Sequence, residues 1–337
     1  MKKAGKMLSR REFLYTAGTL AAGVGIGSSG AAGENPNAFA YDVERFGKTD
    51  PALVHYEEAG RFASPGAEPR RIAVAPDGNV LLACKPGVFV VNTAGQQQLE
   101  IDLTGPARCV ATAGDGTIYA ALRDHVEVFD PKGRRLGAWE TPGPKTWFTG
   151  LAAGEAGIFA ADAGNRVIVH YDKAGKVVKR IGAKNKERNI PGLIVPSPYL
   201  DVQLGGDGLL RVNNPGRHCV ETYTTDGELE FSWGKPSAAI RGFCGCCNPI
   251  SVAVLPGGGC VTCEKGLPRV KVYTVEGEFK SVVAGPESFP SNARPGATRD
   301  LSDGSMGGLD AAVDKAGRIY ILDLVAAEVR VMKLKSA

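Results

Sequence analysis

Most of the usual signs of an enzyme are missing from this 337-residue sequence. There is no nucleophile elbow, no glycine-rich phosphate loop and no paired-base signature. No apolar run is suited to crossing a bilayer. The stretch YTAGTLAAGVGIG (15–27) is short and too rich in glycine to span one stably. A large excess of one charge is missing too. The formal net charge is +4, and residues 1–40 hold five basic and two acidic side chains, so the rest of the chain carries only +1. That balance leaves no electrostatic footprint for a nucleic acid. About three hundred residues remain beyond that segment, enough for a large core in one β domain or two smaller ones.

Residues 1–40 read as a leader. Lys2, Lys3 and Lys6 precede SRREFL (9–14), and the weakly apolar run follows. Ser9, Arg10, Arg11, Phe13 and Leu14 resemble a twin-arginine export signal. Ala38-Phe39-Ala40 offers small residues for cleavage after Ala40, with an earlier cut near Ala32 as the alternative. The resemblance implies a periplasmic or otherwise exported protein that leaves the cytoplasm already folded, often with a cofactor in place, and does not span the membrane once its leader is removed. Disulfides are permitted in that compartment.

One unit recurs along residues 41–337. Segments such as DGNVLLAC (77–84), DGTIYAAL (115–122) and AGRIYILD (316–323) each join a glycine turn to an apolar strand. Alternating strands follow and break at Gly95, Gly133, Gly175, Gly227 and Gly277, which is the pattern of a β-hairpin. A short apolar strand such as RIAVAP precedes each unit, giving four strands per unit. The spacing of about 40–60 residues is that of propeller blades. Six units are present. The last ends with VRVMKL and lacks its outer strand, and ALVHYEEAG (52–60) is a spare strand at the other end that would close the ring. The expected fold is therefore an all-β, six-bladed β-propeller, with a stacked β-solenoid as the alternative.

DAGNRVIVHYD (162–172), with looser copies in NPGRHCVETY (214–223) and EKGLPRVKVY (264–273), resembles the NHL family of β-propellers over residues 52–335. Such folds host ligand binding, protein binding and several enzymes, so the resemblance implies the fold and leaves the function open.

The cysteines stand out against this frame. RGFCGCCNPI (241–250) places Cys244, Cys246 and Cys247 within four positions. In a blade whose strands a to d run antiparallel outward from the channel, the start of a, the end of b and the start of c share one face. The CGCC loop precedes strand a of the fifth blade and Cys263 ends its strand b. Cys84 ends strand b of the first blade, Cys109 begins strand a of the second, and Cys219 begins strand c of the fourth, beside His218. Seven of the eight cysteines thus map to one face, and Cys260 lies farther down its strand.

Two chemistries remain open for the loop. Three loop thiolates with Cys263 or Cys219 would make the four-sulfur set of zinc or an iron–sulfur cluster, and soft sulfur also suits copper as Cu(I). His218 would then be a ligand or a support. Alternatively, disulfides to Cys263 or Cys219 tie the loop down, since eight cysteines pair evenly. Bonding between the adjacent cysteines themselves is strained. Cys84, Cys109 and Cys260 also suit plain packing. A separate reading concerns the ends of strand b, where Asp162, Asn214, Glu264 and Asp323 stand. Related six-bladed lactonases hold a divalent cation in the channel, so these oxygens imply Ca2+ or Mg2+ and a hydrolase or lyase; their plain role is as turn residues. The stretch 285–308 is long for a connection and enters on the cysteine face, with Met306 as a further soft ligand. The leading expectation is a non-enzymatic scaffold whose cysteine-bearing face holds a metal, transfers electrons, or binds a protein or small-molecule partner.

Overall fold

The computed structural model describes residues 46–292 and 308–336. The expected leader at 1–40 with its expected cleavage site, and residues 293–307 of the long loop, Met306 included, lie outside the described residues. Among the described residues no helix is long and apolar enough to cross a membrane.

Strand β1 (Tyr56–Ala63) comes first. Blade 1 follows as β2 (Arg71–Val74), β3 (Val80–Ala83), β4 (Gly87–Val91) and β5 (Gln97–Asp102). Blade 2 is β6 (Cys109–Thr112), β7 (Ile118–Ala121), β8 (Val126–Phe129) and β9 (Arg135–Trp139). Blade 3 is β10 (Phe148–Gly154), β11 (Gly157–Asp162), β12 (Val167–Tyr171) and β13 (Val177–Ile181). Blade 4 is β14 (Val202–Leu204), β15 (Leu210–Asn214), β16 (Cys219–Tyr223) and β17 (Leu229–Trp233). Blade 5 is β18 (Ser251–Val254), β19 (Cys260–Cys263), β20 (Val270–Tyr273) and β21 (Phe279–Ala284). Blade 6 holds β22 (Leu309–Val313), β23 (Ile319–Asp323) and β24 (Glu328–Leu334). Its fourth strand is β1, paired antiparallel to β24 from Tyr56↔Leu334 to Ala63↔Glu328, with a register shift between Glu58 and Gly60. All six sheets are four-stranded. The expected propeller and its closure by the early strand are both present.

Burial explains the strand order. The middle strands β3, β7, β11 and β23 are buried along their whole length, because a neighbouring blade covers each of their faces. Outer strands such as β9 and β13 alternate exposed and covered positions. The core lies between blades. One apolar cluster joins Tyr119 and Val128 of blade 2 to Leu151, Val169 and Tyr171 of blade 3. Each fully buried aliphatic side chain there stabilises the fold by roughly 1.5–3 kcal/mol. The outer hairpin turns seat on the preceding blade. Gly175, at φ +87°, lies where a Cβ would fall 2.2 Å from Cδ1 of Trp139, and Gly277 meets Trp233 in the same way. Any larger residue would push those blades apart.

The inner strands line a channel. From the face opposite the cysteines it is a cavity of about 190 Å³ walled by small residues such as Ala73, Ala111, Ala153, Ala253 and Ala311. Deeper in, Arg71 stops it. The guanidinium donates to the Thr149 carbonyl at 2.7 Å, to Asp310 Oδ1 at 2.8 Å, and to Asp201 Oδ2 and the Leu200 carbonyl at 3.4 Å. One side chain from blade 1 thus reaches the inner edges of blades 3, 4 and 6.

Candidate functional site: a paired thiol on one rim

The loop 234–250 enters blade 5 and carries the three neighbouring cysteines. Its shape is set by three anchors, Glu264, Asn248 and His218. Glu264, fully buried at the end of β19, accepts from the Cys244 amide at 3.0 Å. Arg269, at Nε and at Nη2 (2.9 Å), and Lys271 (3.1 Å) hold that carboxylate in turn. Asn248 donates to the carbonyls of Cys244 and Lys265 and accepts from the Lys265 amide at 2.9 Å. His218 Nε2 reaches the Gly245 carbonyl at 2.6 Å. Gly245 itself sits at φ +82°, a conformation that turns the chain between Cys244 and Cys246.

This turn sets the sulfurs of Cys246 and Cys247 3.3 Å apart. Cys246 is exposed, whereas Cys247 is only 2% exposed. Ser197 Oγ donates to Cys247 Sγ at 3.1 Å, and Lys265 Nζ lies 3.4 Å from the same hydroxyl and 4.3 Å over the Tyr199 ring. Burial alone would raise the Cys247 thiol. Hydrogen bonds from Ser197 and Cys246, together with the Lys265 ammonium, outweigh it and hold the thiol below its ordinary value. Cys246 moves the other way, through the hydrogen bond it donates to Cys247, burial, and the charge on that sulfur. The two thiols titrate as a coupled pair, in which the first proton is lost more readily than from an ordinary cysteine.

The other predicted sulfurs lie elsewhere. Strand register places Cys263 opposite Ser251, Cys219 opposite Asn214 and Cys109 opposite Ala121, all at the end of the sheets expected from the repeat. Cys263 and Cys109, however, border the channel group of Arg71, Asp201 and Asp310, where burial raises both thiols. Burial likewise raises Cys219. Cys84 is buried, 3.6 Å from Ser64 Oγ, and Cys260 is buried, with Arg211 the largest influence opposing its burial. All eight cysteines are free thiols. Among the described residues no three Cys, His, Asp or Glu side chains gather as a metal-ligand group. The structure thus brings together Cys246 and Cys247, with Cys244 on the same turn and His218 reaching it from the start of β16, and gathers neither Cys263 nor Cys219 with them as a ligand group.

Asp162, Asn214, Glu264 and Asp323 are all buried and engaged by protein groups. Asp162 accepts from the amides of Trp147 (3.0 Å) and Asn165 (3.1 Å), and Asn214 accepts from the Ile194 amide at 2.9 Å. Asp323 accepts from the amides of Val325 and Ala326 and from Asn292 Nδ2. With the Glu264–Cys244 bond, these residues clamp the loops at the rim. His170 is structural: its Nε2 meets the Ala156 carbonyl at 2.8 Å and its ring stacks on Phe159.

Ser197, Lys265 and Tyr199 were not among the predicted site residues. Their sequence signal is slight: Lys265 follows Glu264 at a strand end, and Ser197 sits in a proline-rich connection. Arg71, Asp201 and Asp310 carried a clearer one, as charged residues on, or immediately before, otherwise apolar inner strands.

No family model and no curated protein matches the chain. Among solved structures, a streptogramin B lyase superposes with TM-score 0.56 at 16% identity, covering 83% of this chain and 97% of that one. Virginiamycin B lyase from Staphylococcus aureus, a catalytically inactive variant with quinupristin, gives 0.55 at 16% identity over 83% of this chain and all of its own. A protein of unknown function from Bacteroides thetaiotaomicron gives 0.58 at 13% identity, over 83% and 76%. At these identities the likeness shows the propeller fold.

Proposed function

We propose that this protein is an exported NHL-type propeller that binds a soft metal ion through Cys246 and Cys247 and presents it to a partner on the same rim. The twin-arginine-like leader supports export, and the three NHL-like segments support the repeat type. The observation that carries the reading is the pair of sulfurs 3.3 Å apart, one of them held below its ordinary pKa. Two thiolates suit Cu(I), which accepts low coordination, better than zinc or an iron–sulfur cluster, which take four ligands. Cys244 on the same turn, or a donor from the partner, would complete the coordination.

The experiment is metal analysis with a thiol count on natively exported protein, followed by competition with a chromogenic Cu(I) chelator. Stoichiometric Cu(I) binding is expected, with loss of binding in Cys246→Ser and in Cys247→Ser. Unchanged binding in both variants, or none in the parent protein, would sink the reading. The occupied hydrogen-bond positions of Asp162, Asn214, Glu264 and Asp323 do not favour calcium at the channel mouth. Calcium-dependent lactone or ester turnover lost in Asp162→Ala would restore the hydrolase alternative.

A further inference from the structure

A second cluster on the same rim takes no part in the thiol site. Between blades 2 and 3, the Trp147 ring carries two guanidinium groups, with Arg123 Cζ 4.7 Å and Arg108 Cζ 5.5 Å from its centroid. Arg123 and Lys145 line a cavity of about 310 Å³ together with Asp124, Thr141 and Thr146. Both cations are exposed, and among the described residues neither pairs with a carboxylate. Asp124 is engaged by His125 Nδ1 at 2.9 Å. The Thr141 and Thr146 hydroxyls both donate to the Gly143 carbonyl, at 3.0 and 2.8 Å.

The backbone beneath these charges is tightly held. The Trp147 amide donates to buried Asp162, the Ala163 amide to the Trp147 carbonyl at 2.9 Å, and the Phe148 amide to the Arg123 carbonyl at 2.8 Å. A Cβ on Gly164 would fall 1.8 Å from the Lys145 carbonyl, so a glycine there is what lets the two turns meet. Lys145 is held at φ +67°, a left-handed conformation costing a non-glycine residue about 1–3 kcal/mol. The cation–π contact with the indole orders the Arg123 side chain, which remains exposed, and a guanidinium can bind carboxylates in bidentate fashion. The surface is therefore both cationic and pre-organised, which lowers the ordering cost of binding.

We infer that the Arg123–Lys145–Trp147 rim docks an acidic segment of a partner protein, with carboxylates on the two cations and an apolar side chain against the half-buried indole. A lone anion fits less well. The cations are exposed, and the buried polar side chain that lines the cavity, Thr146, already donates its hydroxyl to the Gly143 carbonyl; several contacts along a chain are needed to accumulate affinity. This inference does not depend on the thiol site.

The test measures fluorescence anisotropy of a labelled peptide alternating Glu and Phe, against its Gln–Phe counterpart, on the mature protein. The Glu peptide should bind and weaken with added salt. Arg123→Glu with Lys145→Glu should weaken it by about tenfold or more, with an unchanged thermal melt and unchanged Cu(I) content. Cys246→Ser should bind the peptide as the parent does, which separates this inference from the metal reading. Equal binding of the Gln peptide, or no effect of charge reversal, would overturn it. Equal competition by inorganic phosphate or by a single-stranded oligonucleotide would overturn the assignment to an acidic protein.

Discussion

Cys247 owes its lowered thiol pKa to side chains that arrive from other turns. Ser197 lies fifty residues before it and Lys265 follows on the far side of β18 and β19. Replacing Lys265 with Met removes the ammonium that opposes burial, so the thiol pKa rises. Alkylation of the pair by iodoacetamide at neutral pH should slow several-fold, and the midpoint of its pH–rate profile should move up. A profile unchanged by Lys265→Met would remove Lys265 from the site. The cysteines themselves were legible, because three thiols in one short turn have few packing explanations. Their partners were not, because nothing local marks a serine or lysine that meets them only after the ring has formed. The four-sulfur set expected from face alone missed a second coordinate, the distance from the axis: Cys263 stands at the channel, whereas Cys246 and Cys247 stand on the turn above it.

Elements were more legible than sites. Alternation and turn glycines marked the strands, and the unmatched strands at the two ends marked the closure of blade 6. Removing residues through Ala63 should leave β24 with an open edge, giving a broadened thermal melt and association on size-exclusion chromatography. A peptide spanning Tyr56–Ala63 added in trans should reverse both changes. The ends of strand b offered two readings, turn residues or cation ligands; in the structure they accept from loop amides, which carry no sequence pattern. Glu264→Ala would leave Arg269 and Lys271 buried beside an empty position. A loss of about 3–5 kcal/mol in urea unfolding is expected, and the Cys244 turn should loosen with it. Burial already pushes Lys271 down to about 8 with that carboxylate in place.

At the scale of the whole molecule, Arg71 ties blades together through the axis. The six-fold arrangement followed from counting repeats, but the channel block did not, since it requires knowing which inner-strand residues face one another. Burial raises the Asp201 carboxyl to about 6 from 3.8, against the pull of Arg71 and with the push of Asp310. Its proton is thus bound more tightly in the folded state than in the unfolded chain. The stability this contributes is complete below about pH 4 and is lost as pH rises through about 6. Thermal melts between those values should show this slope, and Asp201→Asn, which cannot ionise, should flatten it. The pairing of β1 with β24 has a consequence for connectivity. Lys335 donates its amide to the His55 carbonyl at 2.9 Å, so the two extremities of the ring touch. A short linker joining them, with the chain reopened in the turn between blades 2 and 3 or any other pair, would yield a circular permutant with the same disc; the ring has a seam, and the seam can be moved.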